Sequence, residues 1–294
     1  MLKETGDALQ VPAIRSRVRD ELQKAVGATF DLTDDAGQTT MPLRLRHKSS
    51  GLAFRFIPAG RLFMGYSDRE EAAARRIRDP LPRILAGNLG VIRPVVELSM
   101  DAFLMSFVPV TARLLRKYVG PQLEGGQWPD GPAFVPFDMA AAFAKSMGCF
   151  LPSEAEWEYA CRAGTRTLFV WGDSLPSESD LAKWMICDFP DRAEQHFRCN
   201  AFGLAGLFCG EWCKDEFRPN HESRVGRAGE HVVRGGAAMW WPWQDEEWIW
   251  AMSAVRMAEG DLNLSIRDVK LSERPTAAFR LVFHLTDVPG AREV

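Results

Sequence analysis

Cysteine is missing from the whole C-terminal part of this sequence, because the last one is Cys213. All six cysteines lie between Cys149 and Cys213, at spacings that match neither a zinc ribbon nor a haem-attachment motif. Histidine is scarce as well, with five residues and no pair at the H-x3-H spacing of a helical metal site. These absences exclude the common metal-binding motifs, and we expect the thiols to be mostly buried and reduced.

Long apolar runs and a strong net charge are also lacking. No stretch approaches the roughly 18 apolar residues that indicate a transmembrane helix, and the N-terminal residues hold no apolar run of signal-peptide length. A formal net charge of −3 and a pI near 6.0 give no basic surface for nucleic acid. We therefore expect a cytoplasmic protein that binds neither nucleic acid nor a membrane. With 46% hydrophobic residues, the chain has enough apolar surface for a large core.

Residues 1–50 are predicted to form an N-terminal extension, and residues 51–294 the main domain. Within the extension, apolar residues recur at helical spacing over residues 11–26, opposite a charged face, and Gly27 follows as a stop. The apolar stripe consists of Val11, Ile14, Val18, Leu22 and Val26. This amphipathic helix either packs on its own domain or docks a partner protein.

From residue 51 the chain breaks into short β-like runs separated by Gly and Pro. The alternation in GLAFRFIPAGRLFMGY predicts a hairpin that turns near Pro58–Gly60. The run AAFRLVFHL at 277–285 predicts a strand, which we place at the centre of a sheet. The highly charged segment 68–83 is typical of a solvated helix or loop.

Two further segments predict helices with defined ends. In LPSEAEWEYACRAGT, Ser153 and Glu156 form an S-x-x-E capping box, in which each side chain satisfies a free backbone N–H of the first turn. Gly164 is the predicted end of that helix. The segment PFDMAAAFAKSMG predicts another helix, with Asp138 near its start and Gly148 at its end.

Seven short motifs occur in one order, and together they resemble the formylglycine-generating enzyme (sulfatase-modifying factor) family. Each motif alone is weak, but the shared order over residues 52–285 is specific. The motifs are Met64-Gly65, Pro109-Val110-Thr111, LPSEAEWEYACRAG, Trp171-Gly172, NAFGLAGLFCGEWC at 200–213, Arg234-Gly235-Gly236 and Ala278-Phe279-Arg280. The resemblance implies an α+β, C-type-lectin-like fold, with twisted antiparallel strands, two main helices and much irregular loop.

The chain departs from that family at the positions that carry its chemistry. The family's oxidases bind copper through a cysteine pair shortly after the RGG motif, whereas this chain has Trp240 and Asp245-Glu246 in that region. The calcium-loop segment GNVWEW is shortened to FCGEW, and the histidines of the iron-dependent relatives have no counterpart. We therefore expect no cofactor.

The segment that replaces the cysteine pair is rich in tryptophan and acid. Half of the ten tryptophans lie within residues 240–250, with three acidic residues among them. Its residues of interest are Trp240, Trp241, Trp243, Asp245, Glu246, Glu247, Trp248 and Trp250. Since the resemblance places the RGG-to-GFR segment along the ligand groove, this segment is predicted to face that groove. Its Trp, Glu and Met residues are not products of adenine-directed codon variation, which favours a fixed segment over a hypervariable one.

Two interpretations of these tryptophans remain open. Some of them complete the core, and Trp248 and Trp250, which flank an isoleucine, suit that role best. The others, with Asp245, Glu246 and Glu247, suit a peptide, a protein or a small cationic ligand, bound by cation–π contact and carboxylate pairing. Arg256 is a further candidate, which would reach a carboxylate of the ligand.

Other polar candidates are weaker. Glu211 is expected to be a buried hydrogen-bond acceptor rather than a general base. Arg234 and Arg280 match family arginines that are expected to make internal hydrogen bonds. A metal site formed by Cys199, Cys209 and Cys213 with His196 is an alternative that the irregular spacing does not favour.

Two functional hypotheses follow. The first is a pseudoenzyme that binds a ligand or peptide in a Trp- and acid-rich groove. The second is a divergent metal-dependent oxidoreductase of the same family.

Overall fold

The computed structural model describes residues 11–33, 43–120, 129–177, 180, 184, 198–207, 209–236, 247–261 and 276–287. Six α-helices occur in this part of the chain. They are α1 (Pro12–Val26), α2 (Asp68–Ile77), α3 (Arg83–Ile92), α4 (Ala112–Val119), α5 (Phe137–Ser146) and α6 (Glu154–Arg162).

Ten strands lie in the same described residues. They are β1 (Phe30–Leu32), β2 (Arg44–His47), β3 (Ala53–Ile57), β4 (Gly60–Met64), β5 (Val96–Met100), β6 (Phe103–Ser106), β7 (Glu211–Glu216), β8 (His231–Arg234), β9 (Arg256–Ala258) and β10 (Val282–His284). They form a five-stranded sheet in the order β1-β2-β3-β6-β10, a β4-β5 pair and a three-stranded β7-β8-β9 sheet. Every pairing within these sheets is antiparallel.

The hairpin predicted over residues 51–66 is wrong. Strand β3 pairs with β2 on one side and with β6 on the other, so neither of its edges is left for β4. Strand β4 instead pairs with β5 in another sheet, with Leu62 opposite Leu98. The chain therefore changes sheets at Pro58 and Ala59 rather than folding back on itself.

The final strand is also placed differently from the prediction. Strand β10 pairs with β6 and stands at the end of the five-stranded order. Among the described residues its other edge meets an isolated bridge, in which Phe150 and Val282 exchange two backbone hydrogen bonds of 2.8 Å. An apolar run buried on both faces looks the same in sequence whether the strand is central or last in the sheet.

Capping residues set the starts of two helices. At α6 the Ser153 hydroxyl accepts from the Glu156 N–H, and the Glu156 carboxylate accepts from the Ser153 N–H, as predicted. The helix ends at Arg162, and Ala163 and Gly164 follow it in the left-handed region, with φ of 45° and 85°. The same box, from Ser67 and Glu70, starts α2, so part of the charged segment 68–83 is helical.

Helix α1 packs on the main core. Its residues Val18, Leu22 and Val26 are buried and belong to one apolar cluster with strands β2, β3 and β6. Strands β1 and β2 extend the sheet that contains β3, and the predicted boundary after residue 50 falls in the turn between β2 and β3. The division into two domains stays a prediction. None of the described helices has the length and apolar character needed to cross a membrane.

Truncating a buried side chain of α1 is expected to destabilise the whole fold. Leu22 is 0% exposed, so Leu22→Ala should lower the free energy of unfolding by about 2–5 kcal/mol. Urea denaturation followed by circular dichroism measures this value. Asp20→Ala, on the exposed face of the same helix, should change it by less than about 0.5 kcal/mol. A small effect of Leu22→Ala would mean that α1 does not pack on the core in solution.

Candidate functional site

The tryptophan-rich segment begins where strand β8 ends. Gly235 and Gly236 follow the strand with φ of 80° and 73°, a left-handed conformation that favours glycine. A Cβ at Gly236 would stand 2.2 Å from the Trp250 carbonyl oxygen, so only glycine allows this close approach. The two glycines therefore let the end of β8 lie directly against the backbone of Trp250.

Most of the predicted ligand residues cannot be placed. Trp240, Trp241, Trp243, Asp245 and Glu246 lie outside the described residues. The described chain resumes at Glu247, the first residue of a 3₁₀ helix that runs to Ala251. The structure therefore locates both ends of the predicted groove segment, at Gly236 and Glu247.

The two tryptophans of that 3₁₀ helix face the protein interior to different degrees. Trp248 is 2% exposed and packs edge-on against Phe169, with ring centroids 6.1 Å apart. Trp250 is half-buried and contacts two of the apolar clusters. The structural role predicted for Trp248 is confirmed, and Trp250 packs at the junction between the clusters.

Arg256, the other predicted ligand residue, is 4% exposed in strand β9. Its Nη2 donates to the Glu154 carboxylate at 2.8 Å, and its Nη1 donates to the Arg218 carbonyl at 2.9 Å. Its guanidinium thus makes internal contacts, while a role in ligand binding stays a prediction.

A buried network of charges joins helix α6 to strands β8 and β9. Arg234, the last residue of β8, is 0% exposed and donates to Glu154 at 3.1 Å and to Glu158. It also donates to the Ser253 carbonyl at 2.8 Å. Because Arg256 binds Glu154 as well, one carboxylate of α6 holds both strands that flank the segment.

The network continues along α6 to the end of strand β4, in the β4-β5 pair. Arg162 donates from Nε to Glu158 at 2.8 Å and from Nη2 to the Gly65 carbonyl at 2.9 Å. Its Nη2 also lies 3.0 Å from Glu70 of α2. Buried charges are tolerated when each has a partner, and the contacts of α6 supply those partners.

The acids of the network have opposite pKa shifts. Burial raises the pKa of Glu154 against the attraction of Arg256 and Arg234. Burial would raise the pKa of Glu158 too, but Arg234 and Arg162 outweigh it and hold this pKa at about 2. Glu158 is therefore ionised at neutral pH, as a carboxylate between two guanidinium groups should be.

A second buried ion pair joins strand β7 to the Ala278-Phe279-Arg280 motif. Arg280 and Glu211 are both 0% exposed, and Arg280 Nη2 donates to Glu211 at 2.7 Å. The indole of Trp157 donates to the same carboxylate at 3.0 Å. Glu211 is thus a buried hydrogen-bond acceptor, as predicted, and Arg280 makes internal hydrogen bonds.

Of the five cysteines that the structure describes, four are buried. Cys209 and Cys213 are buried, and Cys199 is half-buried. Burial raises the pKa of Cys213 well above the ordinary value, and burial raises that of Cys161 to about 11. Thiols of this kind stay protonated. Across the described part of the chain, no three His, Cys, Asp or Glu residues are grouped so that they could hold a metal ion.

His221 borders the network and was not singled out by the sequence. Its ring lies beside Gly65, and its Nε2 has no hydrogen-bond partner among the described residues. Burial, more than any other cause, lowers its pKa to about 4 despite the attraction of Glu158. The imidazole is therefore neutral at physiological pH.

Most of this network was not predicted from the sequence, although the spacing of its residues along α6 is a signal for part of it. Glu154 and Glu158, and Glu158 and Arg162, are four residues apart and so share a face of α6. Such a face normally points to solvent, and only the tertiary structure shows that it is buried.

A family model described as the sulfatase-modifying factor enzyme 1-like domain matches residues 44–259. The formylglycine-generating enzyme of Mycobacterium tuberculosis is 36% identical over 101 residues, which cover 30% of this chain and 34% of that protein. That of Bos taurus is 31% identical over 156 residues, covering 45% of this chain and 42% of that protein. The aligned chain thus spans less than half the length of these curated relatives.

A solved structure is similar over most of the chain. PvdO from Pseudomonas aeruginosa aligns with a TM-score of 0.54 and 19% sequence identity, covering 83% of this chain and 98% of that one. At this identity the likeness concerns the fold, and with the family match it confirms the predicted fold class.

Removing the charge of Glu211 is expected to be costly, because Arg280 would remain buried without a counter-charge. We expect Glu211→Gln to lower the free energy of unfolding by about 3–5 kcal/mol. Glu97→Gln is the matched control, because its exposed carboxylate lies 3.0 Å from Arg61. It should cost less than about 1 kcal/mol in the same urea titration. Equal losses in the two variants would contradict a structural role for the buried pair.

Acid is expected to destabilise the protein through His221. Its pKa in the folded state, about 4, is below the ordinary 6.5, so the unfolded chain binds the proton first as the pH falls. The free energy of unfolding should therefore fall by on the order of 2 kcal/mol between these two pH values. His221→Gln should flatten this slope in urea titrations across the range, whereas His231→Gln should keep it. A slope unchanged in His221→Gln would show that other groups cause the acid sensitivity.

Proposed function

The chain belongs to the sulfatase-modifying factor enzyme 1-like family, and we propose that it is a non-catalytic, ligand-binding member of that family. The proposed ligand is a peptide, or a smaller molecule, that carries a cationic group. Its binding site is the segment from Trp240 to Glu247, and the proposed location of the protein is the cytoplasm.

The observation that carries this proposal is the exchange of side chains after the RGG motif. The region in which the family's oxidases carry two cysteines has Trp240 and Asp245-Glu246, and no cysteine follows Cys213. The region after the RGG motif has no cysteine pair for copper, and the fully buried Cys213 thiol, with its raised pKa, does not suit Cu(I), which prefers thiolate ligands. Cysteine oxidation by a copper-bound pair is therefore not part of the proposal.

The residues that replace the pair have the chemistry of cation recognition. An indole face attracts an ammonium or guanidinium group, and carboxylates add charge pairing. Trp240, Trp241 and Trp243 supply the aromatic groups, while Asp245, Glu246 and Glu247 supply the charge. Aromatic residues of this kind also carry most of the binding energy in protein interfaces.

The described neighbours of the segment support the proposal. Gly236 lies against Trp250, and Arg234 and Arg256 bind the same carboxylate of Glu154. The ends of the segment are therefore held by buried charge and close backbone packing, which lowers the entropic cost of presenting side chains to a ligand.

A divergent metal-dependent oxidoreductase remains the alternative, favoured by the identity to two formylglycine-generating enzymes. Elemental analysis of the purified protein distinguishes the two functions. A transition metal at near one equivalent, lost when Cys209 and Cys213 are substituted, would favour the oxidoreductase.

Binding is tested with fluorescein-labelled peptides that share one Gly-Ser backbone and carry lysine, arginine or trimethyllysine. We expect at least one of them to bind, and the variant Trp240→Ala/Trp241→Ala/Trp243→Ala to bind it at least about tenfold more weakly, because the cation–π contacts are lost. Fluorescence anisotropy measures both affinities.

A charge-matched pair of variants gives the control. Asp245→Asn/Glu246→Gln should weaken binding and reduce its salt dependence, because two of the three carboxylates of the proposed site are removed. Asp31→Asn/Glu222→Gln removes the same charge from exposed positions elsewhere and should leave the affinity unchanged. Peptide binding that survives the triple tryptophan variant would refute the proposal.

A further inference from the structure

A small cavity of about 230 Å³ lies at the start of α6. Its wall is formed by the turn between β5 and β6, by the first turn of α6 and by the end of β10. The polar groups of the wall are Ser99, Asp101, Ser153, Glu156, His284 and Thr286. Pockets for drug-sized ligands start at about 300 Å³, so this one suits a smaller molecule or a single side chain.

A carboxylate–imidazole pair forms one side of the cavity. His284 Nε2 lies 2.6 Å from Glu156 Oε1, and the other oxygen of Glu156 accepts from the Ser153 N–H at 2.6 Å. Burial would raise the pKa of Glu156, but the bonds from His284 and Ser153, with Lys214 nearby, hold it at about 2. Because an ionised carboxylate only accepts hydrogen bonds, the Nε2–H of His284 donates a hydrogen bond to Glu156.

The imidazole is also fixed from the side. Phe150 stacks on the His284 ring, with centroids 5.1 Å apart and planes 28° from parallel. Phe150 is itself held by two backbone hydrogen bonds to Val282, yet 45% of it remains exposed. The His284 ring in the wall is therefore held in place by its contact with the ring of Phe150.

The charge of the wall is negative. Asp101 and Glu156 both face the cavity, and none of the described residues that line it is Lys or Arg. Asp101 is exposed and has no ion-pair partner within the described residues. Lys214, which lies outside the wall, stands 3.7 Å from Glu156 Oε2. The wall thus offers the carboxylate of Asp101, the ionised carboxylate of Glu156, which already accepts from His284 and Ser153, and three hydroxyl oxygens as further acceptors.

We infer that this cavity binds a primary ammonium group, as a small aliphatic amine or as the side chain of a lysine. An ammonium group donates three hydrogen bonds and accepts none, which matches a wall of carboxylate and hydroxyl oxygens. Met100, Ala102 and Phe103 line the same cavity and provide apolar contact for the carbon stem. None of the described residues that line the cavity belongs to the tryptophan segment, and the site goes beyond the proposed function.

Histidine-ring NMR tests this site directly, because the chain has five histidines and one of them forms the wall. The ring resonance that disappears in His284→Gln identifies His284. We expect n-butylammonium, titrated to tens of millimolar, to shift this resonance saturably, while neutral n-pentanol leaves it in place. No shift with the amine, or an equal shift with the alcohol, would overturn the inference.

Matched variants separate this site from the tryptophan segment. Asp101→Asn should lower the affinity for n-butylammonium at least about threefold. Glu156→Gln should lower it about tenfold, and glutamine at this N3 position still suits the capping box. Asp20→Asn, on exposed α1, should have no effect, and the other histidine resonances report whether each variant folds. The triple tryptophan variant should retain the shift. If the shift is lost in the triple tryptophan variant but kept in Asp101→Asn, the amine binds at the tryptophan segment, and the inference that the cavity binds it is refuted.

Discussion

The buried charges on α6 are the constraint on which the rest of the structure depends. Glu154 and Glu158 bind Arg234 from strand β8, and Arg162 returns from α6 to the backbone of Gly65 after strand β4. One short helix therefore ties the three-stranded sheet to the β4-β5 pair. An unpaired buried charge costs several kcal/mol. If α6, β8 or the end of β4 moved alone, a buried charge would lose its partner or become exposed.

This network also explains how the ends of the tryptophan segment are positioned. Arg234 precedes the segment and Arg256 follows it, and both guanidinium groups share the carboxylate of Glu154. The register of β8 and β9, with Arg234 opposite Arg256, is consistent with this sharing. The fold thus fixes the base of the segment through electrostatics in the interior.

Local features of the fold could be predicted from sequence, whereas the pairing of distant elements could not. The capping box of Ser153 and Glu156 was legible because its two residues are three apart and each satisfies the other. The partner of Arg256 is 102 residues away, and no local pattern points to it. Strands β3 and β4 were assigned to one hairpin for the same reason, since alternation shows that a strand exists but not which neighbour it has.

The approach of Gly236 to Trp250 has a consequence for how the family scaffold diversifies. The backbone of Gly236, before residues 237–246, lies against the backbone of Trp250, after them. The entropic cost of bringing the ends of a loop together grows only slowly with the length of the loop. The interior that holds this closure, from Glu154 to the two arginines, is encoded outside those ten positions. We therefore expect that residues 237–246 can be replaced by another sequence without a change in the core. The new sequence would still lie between Gly236 and the 3₁₀ helix, whose positions depend on Glu154 and the two arginines.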